Sequence, residues 1–113
     1  MSILSSANLA DAPDHEVLEN PSTYDIVGYS YAIEEAPYGT LDITLEKNST
    51  RCTLRFTGVC ELEIDAGFPH SYMGLEILNV KYLGWDKIHV RVEGYESEAP
   101  GFRFWANTVF RLP

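Results

Sequence analysis

Positive charge is scarce in this chain: eight Lys and Arg stand against seventeen Asp and Glu, a formal net charge of −9. Such a field repels phosphates, which argues against nucleic acid or an anionic membrane as the main partner; it permits a basic one, and equally serves plain solubility. Long hydrophobic runs are missing as well. No window approaches the ~20 apolar residues of a membrane helix. The opening MSILSSANLADAPDH carries no basic stretch of a signal peptide. The expectation is a soluble, cytoplasmic protein. Cysteine is limited to Cys52 and Cys60. They share a parity, and eight strand positions separate them by about 26 Å, so two buried free thiols are expected rather than a disulfide.

Catalytic and metal-binding patterns are also lacking. The three histidines, His15, His70 and His89, show no ligand spacing. No nucleophile elbow or oriented Ser-His-Asp or Cys-His set is present. Glu61 and Glu63 share the outward parity of one segment, as a carboxylate pair for glycoside hydrolysis would. Arg51, Arg55, Arg91 and Arg103 also point outward, and cross-strand ion pairing is the simpler account. The chain therefore reads as a non-enzyme with no cofactor and no metal.

What the chain does have is alternation. In RCTLRFTGVCELEID, residues 51–65, Cys52, Leu54, Phe56, Cys60, Leu62 and Ile64 hold one parity and mostly polar residues the other. Successive strand residues face opposite ways, so this is a long half-buried strand. Gly58, on the dry parity with no side chain to pack, marks a bend or bulge. LDITLE alternates cleanly around Leu41, Ile43 and Leu45, and KIHVRVEGYE around Ile88, Val90 and Val92. IVGYSYAIEE alternates imperfectly, with Val27, Tyr29, Tyr31 and Ile33 together. LEILNVKYL carries apolar residues on both parities, as a strand covered on two sides or shifted by a bulge does. FRFWANTVF sets Phe102, Phe104 and Ala106 against Arg103, Trp105 and Asn107. Turn residues punctuate the chain at EAPYG, KNST and SEAPG.

These signals predict one mainly β domain over residues 23–113: an antiparallel sheet meander, as a curved sheet folded on itself or a two-sheet sandwich. Residues 1–22 form a polar N-terminal segment, with at most a short helix in PDHEVLE capped by Asp11. Acids collect outside the strands at Asp11, Asp14 and Glu16, at Glu34 and Glu35, and at Glu96 and Glu98. If they share a rim, they make an anionic surface for Lys and Arg of a partner. Trp85, in a turn, and Trp105 either anchor an interface or cover the sheet.

The order YDIVGYSY, LDITLE, LRFTGVCELEI, GLEILNV and FRFWANTVF resembles a group of small β-rich bacterial proteins. That group includes immunity proteins encoded beside polymorphic or contact-dependent toxins. Relatives often show His-Asp before the first strand, where this chain has Tyr24-Asp25. The resemblance implies an antitoxin that binds and occludes a cognate toxin, a basic nuclease suiting the charge, and it carries over no catalytic residue. A self-associating structural or adaptor domain is the alternative. A small-molecule binder or enzyme, with a concave polar pocket between Trp85, Trp105 and the loop 67–74, is another. Oligomeric state is left open.

Overall fold

The fold was established from a computed structural model, which describes residues 12–36, 38–64, 75–94 and 102–113. Among the described residues seven strands form one antiparallel sheet: β1 (Asp25–Ile33), β2 (Gly39–Lys47), β3 (Thr50–Ile64), β4 (Leu75–Asn79), β5 (Val90–Gly94), β6 (Phe102–Ala106) and β7 (Thr108–Arg111). The expected mainly β meander is what the chain adopts. Two three-stranded runs, β1-β2-β3 and β4-β5-β6, join where β3 pairs β6, giving the order β1-β2-β3-β6-β5-β4. β7 pairs the first half of β3 on the side away from β2. Among the described residues β1 and β4 are not neighbours, so the sheet is not closed into a barrel.

The sheet folds over because β3 bends. Gly58 has φ +62°, the left-handed region that disfavours any side chain. A Cβ there would lie 2.8 Å from the Cβ of Asn107, the residue that separates β6 from β7. The Asn107 amide N–H donates to the Thr57 carbonyl at 2.8 Å, and its side-chain amide donates to the Lys87 carbonyl at 3.0 Å. Two strands therefore bend together at one corner. Gly58→Ala is expected to lose about 2–3 kcal/mol, from the left-handed backbone and the close contact combined. Urea denaturation checks it; a loss below about 0.5 kcal/mol would mean the corner is not formed this way.

Folding at this corner turns the dry faces of both halves toward each other. Leu41, Ile43 and Leu45 of β2 and Leu54 and Phe56 of β3 meet Leu75, Ile77, Val90, Val92, Phe104 and Ala106, all essentially without solvent exposure. Phe56 and Phe104 cross the gap as an edge-to-face pair, ring centroids 5.0 Å apart. The wet face carries the expected ion pairs: Arg55 to Asp42 with two bonds of 2.9 Å, Arg51 to Glu46 at 2.7 Å, and Arg103 to Glu63 at 2.8 Å. The hydrogen bonds from Arg55, aided by its charge, hold the Asp42 carboxyl below its usual range.

Three sequence expectations change. Residues 12–20 form no helix. Instead the segment lies along the β4 edge: the His15 amide donates to the Ile77 carbonyl, the Asn79 amide donates to the Pro13 carbonyl, both at 2.8 Å, and Asp14 bridges Leu78. Leu18 then enters the core, and the single described helical turn nearby is the 3-10 turn Pro21–Thr23. Backbone pairing with an available edge outweighs a weak local helix preference. Second, Cys60 faces away from Cys52. The bend at Gly58 inserts one residue, and Glu61, at φ +52°, inserts another. Cys52 and Leu62 consequently pack with the main core, whereas Cys60 joins a second cluster on the opposite face. Both thiols are free, and burial pushes the Cys60 thiol up. Third, Ile88 packs with that second cluster rather than beside Val90 and Val92, because β5 begins only at Val90.

Candidate functional site

Two surfaces of the folded sheet bring chemistry together, and Tyr38 connects them. The first is a cleft of about 290 Å³ at the fold corner, lined by Glu34, Glu35, Tyr38, Gly39, Thr57, Gly58, Lys87 and Asn107. Its acidic side is the turn between β1 and β2. The Tyr38 amide donates to the Glu35 carbonyl at 2.8 Å and the Glu34 amide to the Tyr38 carbonyl at 3.3 Å, which ties off the turn. The Thr40 hydroxyl donates to the Glu34 carboxylate. Both glutamates are exposed. Lys87 faces them with its ammonium 6.0 Å from the Tyr38 ring centre.

The second surface covers the outer side of the β4-β5-β6 half. Cys60, Leu78, Val80 and Trp105 form its floor, and Ala12, Tyr38, Leu83, Trp85 and Ile88 pack on top. Trp105 sits on the polar parity of β6 yet is only 4% exposed. Trp85 meets it edge-on at 5.5 Å, and the Arg91 guanidinium lies 4.5 Å from its ring centre. Arg91 also donates to Glu93 at 3.2 Å. The two tryptophans thus pack on each other, which answers whether they cover the sheet: Trp105 does so fully, and Trp85 remains half-buried above it.

A continuous apolar row borders the cleft. The bulge at Val27 in β1 places Ile26 opposite Leu45, then Tyr29 opposite Ile43, Tyr31 opposite Leu41 and Ile33 opposite Gly39. Directly opposed residues share a face. Ile26 is buried, but Tyr29, Tyr31 and Ile33 overhang the core at 46%, 39% and 72% exposure. The Tyr31 phenol occupies the space a side chain at Gly39 would need. The row therefore runs directly into the acidic cleft.

Of the acids singled out in the sequence, Glu34 and Glu35 share this cleft, with Trp85 one packing layer away through Tyr38. Asp14 and Glu16 are exposed beside the β4 edge. Asp11, Glu96 and Glu98, like the loop 67–74, lie outside the described residues. Sequence reasoning missed Tyr38 and Lys87 as cleft residues, since only the corner brings residues so far apart in the chain together. It also missed a carboxylate group on β4 and β5. Glu76 stands directly opposite Glu93. Burial, then Glu93 and Asp14, push the Glu76 carboxyl above its ordinary value of 4.5.

The folded protein holds the Glu76 proton to higher pH than the unfolded chain does, so this position loses stability as pH rises through the raised range. Glu76→Gln is expected to stabilise by roughly 0.5 kcal/mol at pH 7, a gain kept small by solvent screening that disappears below about pH 4. Thermal unfolding at both pH values checks it. His15 has the opposite sense. Its Nδ1 accepts the Val17 amide at 3.0 Å, and burial lowers its pKa, so its contribution is present above the ordinary histidine range and lost as pH falls below it.

Among the described residues no group of three His, Cys, Asp or Glu is placed to hold a metal ion, and no helix is long and apolar enough to cross a membrane. No family model, curated protein or solved structure matches the chain.

Proposed function

We propose that this chain is a cytoplasmic binding protein of the immunity type, which neutralises a toxin by docking on it and covering its working surface, without chemistry of its own. The observation that carries this reading is the juxtaposition of the Glu34–Glu35 cleft with the exposed row Tyr29, Tyr31 and Ile33. Aromatic and apolar anchors beside like-signed charge form the composition of a recognition surface. The net charge of −9 would steer a basic partner toward it. A nuclease toxin suits that partner, because a surface built to hold phosphates is basic. The likeness of the strand segments to toxin-immunity proteins supports the same assignment.

The experiment is a pull-down with the product of the neighbouring gene, paired with co-expression rescue. Capture in one-to-one ratio together with cell survival is expected. A neighbour that is neither captured nor neutralised removes the immunity reading. Substrate turnover by the purified chain, abolished by one side-chain replacement, removes the non-enzymatic one.

A further inference from the structure

Among the described residues, β1 is the strand whose outer edge is least protected, and its neighbours specify what would pair with it. Among the described residues it bonds to β2 on one side only. An edge strand directs the N–H and C=O of alternate residues outward, a template for a further strand. The opposite end of the sheet is handled differently. There the chain adds its own Pro13–His15 segment to β4, so its backbone already performs one such addition. β7, which among the described residues also pairs on one side, has four residues against the nine of β1. Usual edge guards are nearly absent from β1: it holds no Lys and no Pro, and its one bulge, at Val27, protects only the start. Gly28–Ile33 remains as a regular stretch.

The two faces of that stretch are unequal. Tyr29, Tyr31 and Ile33 face the core side and overhang it, while Gly28, Ser30 and Ala32 on the outer side are small. An added strand would pack apolar side chains against the first row and would have room for long side chains over the second. Charge then selects their sign. Residues 25–46 contain five acids, Asp25, Glu34, Glu35, Asp42 and Glu46, and no Lys, Arg or His. Asp42 and Glu46 are engaged by Arg55 and Arg51, whereas Asp25, Glu34 and Glu35, at the two ends of β1, form no ion pair among the described residues, although Lys87 lines the cleft beside the two glutamates. A second copy of the chain fits poorly, because antiparallel pairing of β1 with itself would set Asp25 of each copy beside the Ile33-Glu34 end of the other.

We propose that Gly28–Ile33 of β1 is a strand-addition site for an extended segment of a basic protein in which apolar residues alternate with Lys or Arg. It rests on the binding role argued above and adds the mode of docking: backbone pairing on the edge, apolar side chains against Tyr29, Tyr31 and Ile33, and cations toward Asp25, Glu34 and Glu35. Affinity then comes from main-chain bonds and the overhanging row, and selection of the partner from charge.

The probe is a capped nonapeptide with Lys at odd and Val at even positions, titrated into the 15N-labelled full chain at low salt. Amide shift changes centred on Gly28–Ile33 and a dissociation constant below about 1 mM are expected. The same peptide N-methylated at alternate residues on its pairing edge keeps the charge and should bind at least about 10-fold more weakly. Ile33→Lys, at a position 72% exposed and therefore harmless to the fold, should weaken binding similarly by guarding the edge. A Glu-for-Lys peptide should not bind. Equal binding of the methylated peptide, shifts centred elsewhere, or no binding at about 1 mM would overturn strand addition. Capture of the neighbouring gene product is read independently, so strand addition can fail while the immunity reading stands. A dimer of the chain that Ile33→Lys converts to monomer would assign the edge to a second copy and overturn the proposal.

Discussion

Replacing Phe104 by Ala is expected to cost about 3–5 kcal/mol, a large share of the roughly 5–15 kcal/mol that holds a domain of this size together. Phe104 has no solvent exposure, and its edge-to-face contact with Phe56 spans the two halves of the folded sheet. Deleting the ring removes buried apolar area and leaves a cavity between faces that the strands on either side prevent from collapsing. Thermal unfolding should fall by roughly 15–25 °C. Phe104→Leu, which keeps much of the volume, should cost less than half as much. Equal losses from both replacements would mean that ring contact rather than filled space dominates. A loss near zero would mean that the halves do not close on each other.

The second large effect concerns the docking surface. The double change Glu34→Lys and Glu35→Lys should weaken capture of the neighbouring gene product by about 100-fold at low salt, with the difference shrinking as salt rises. Both side chains are exposed, so the fold should persist apart from the Thr40 hydrogen bond to Glu34. Circular dichroism and an unchanged unfolding midpoint check that point. Reversing Asp14 and Glu16, which lie beside the β4 edge away from the cleft, should matter far less. Equal losses from both pairs would assign binding to the overall field of the chain instead of to the cleft.

Much of this architecture is written in local alternation. β2 is the clearest case: Leu41, Ile43 and Leu45 alternate without interruption and are all fully buried. The bend at Gly58 was legible because only glycine leaves a dry strand position empty and tolerates positive φ. Where the reading failed, the deciding contact was non-local. The residue inserted at Gly58 turns Cys60 to the opposite face, and Glu61 then adopts φ +52°, with nothing in its residue type to announce it, which returns Leu62 to the core. Trp105 obeys its predicted outward parity yet is buried, because Leu83, Trp85 and Ile88 pack over it. The PDHEVLE segment contains plausible cap signals, but the open β4 edge offers its backbone better partners than a short isolated helix can.

The candidate site divides in the same way. Glu34 and Glu35 were identifiable as acids in a turn, since a polar turn next to an apolar strand needs no tertiary information. Their meeting with Thr57, Lys87 and Asn107 depends wholly on the corner that folds the sheet. Tyr29, Tyr31 and Ile33 were readable as one face of a strand. That this face overhangs the core instead of filling it depends on the Val27 bulge and on the reach of the opposing half-sheet.

The most direct test of the central claim, that this acidic folded sheet works by docking a basic macromolecule, is calorimetric titration of the purified chain with the neighbouring gene product across a range of salt. The account predicts a one-to-one complex whose affinity falls steadily as salt rises and is impaired by lysine at positions 34 and 35. No heat and no complex at any salt concentration, or an affinity indifferent to both salt and those replacements, would contradict it.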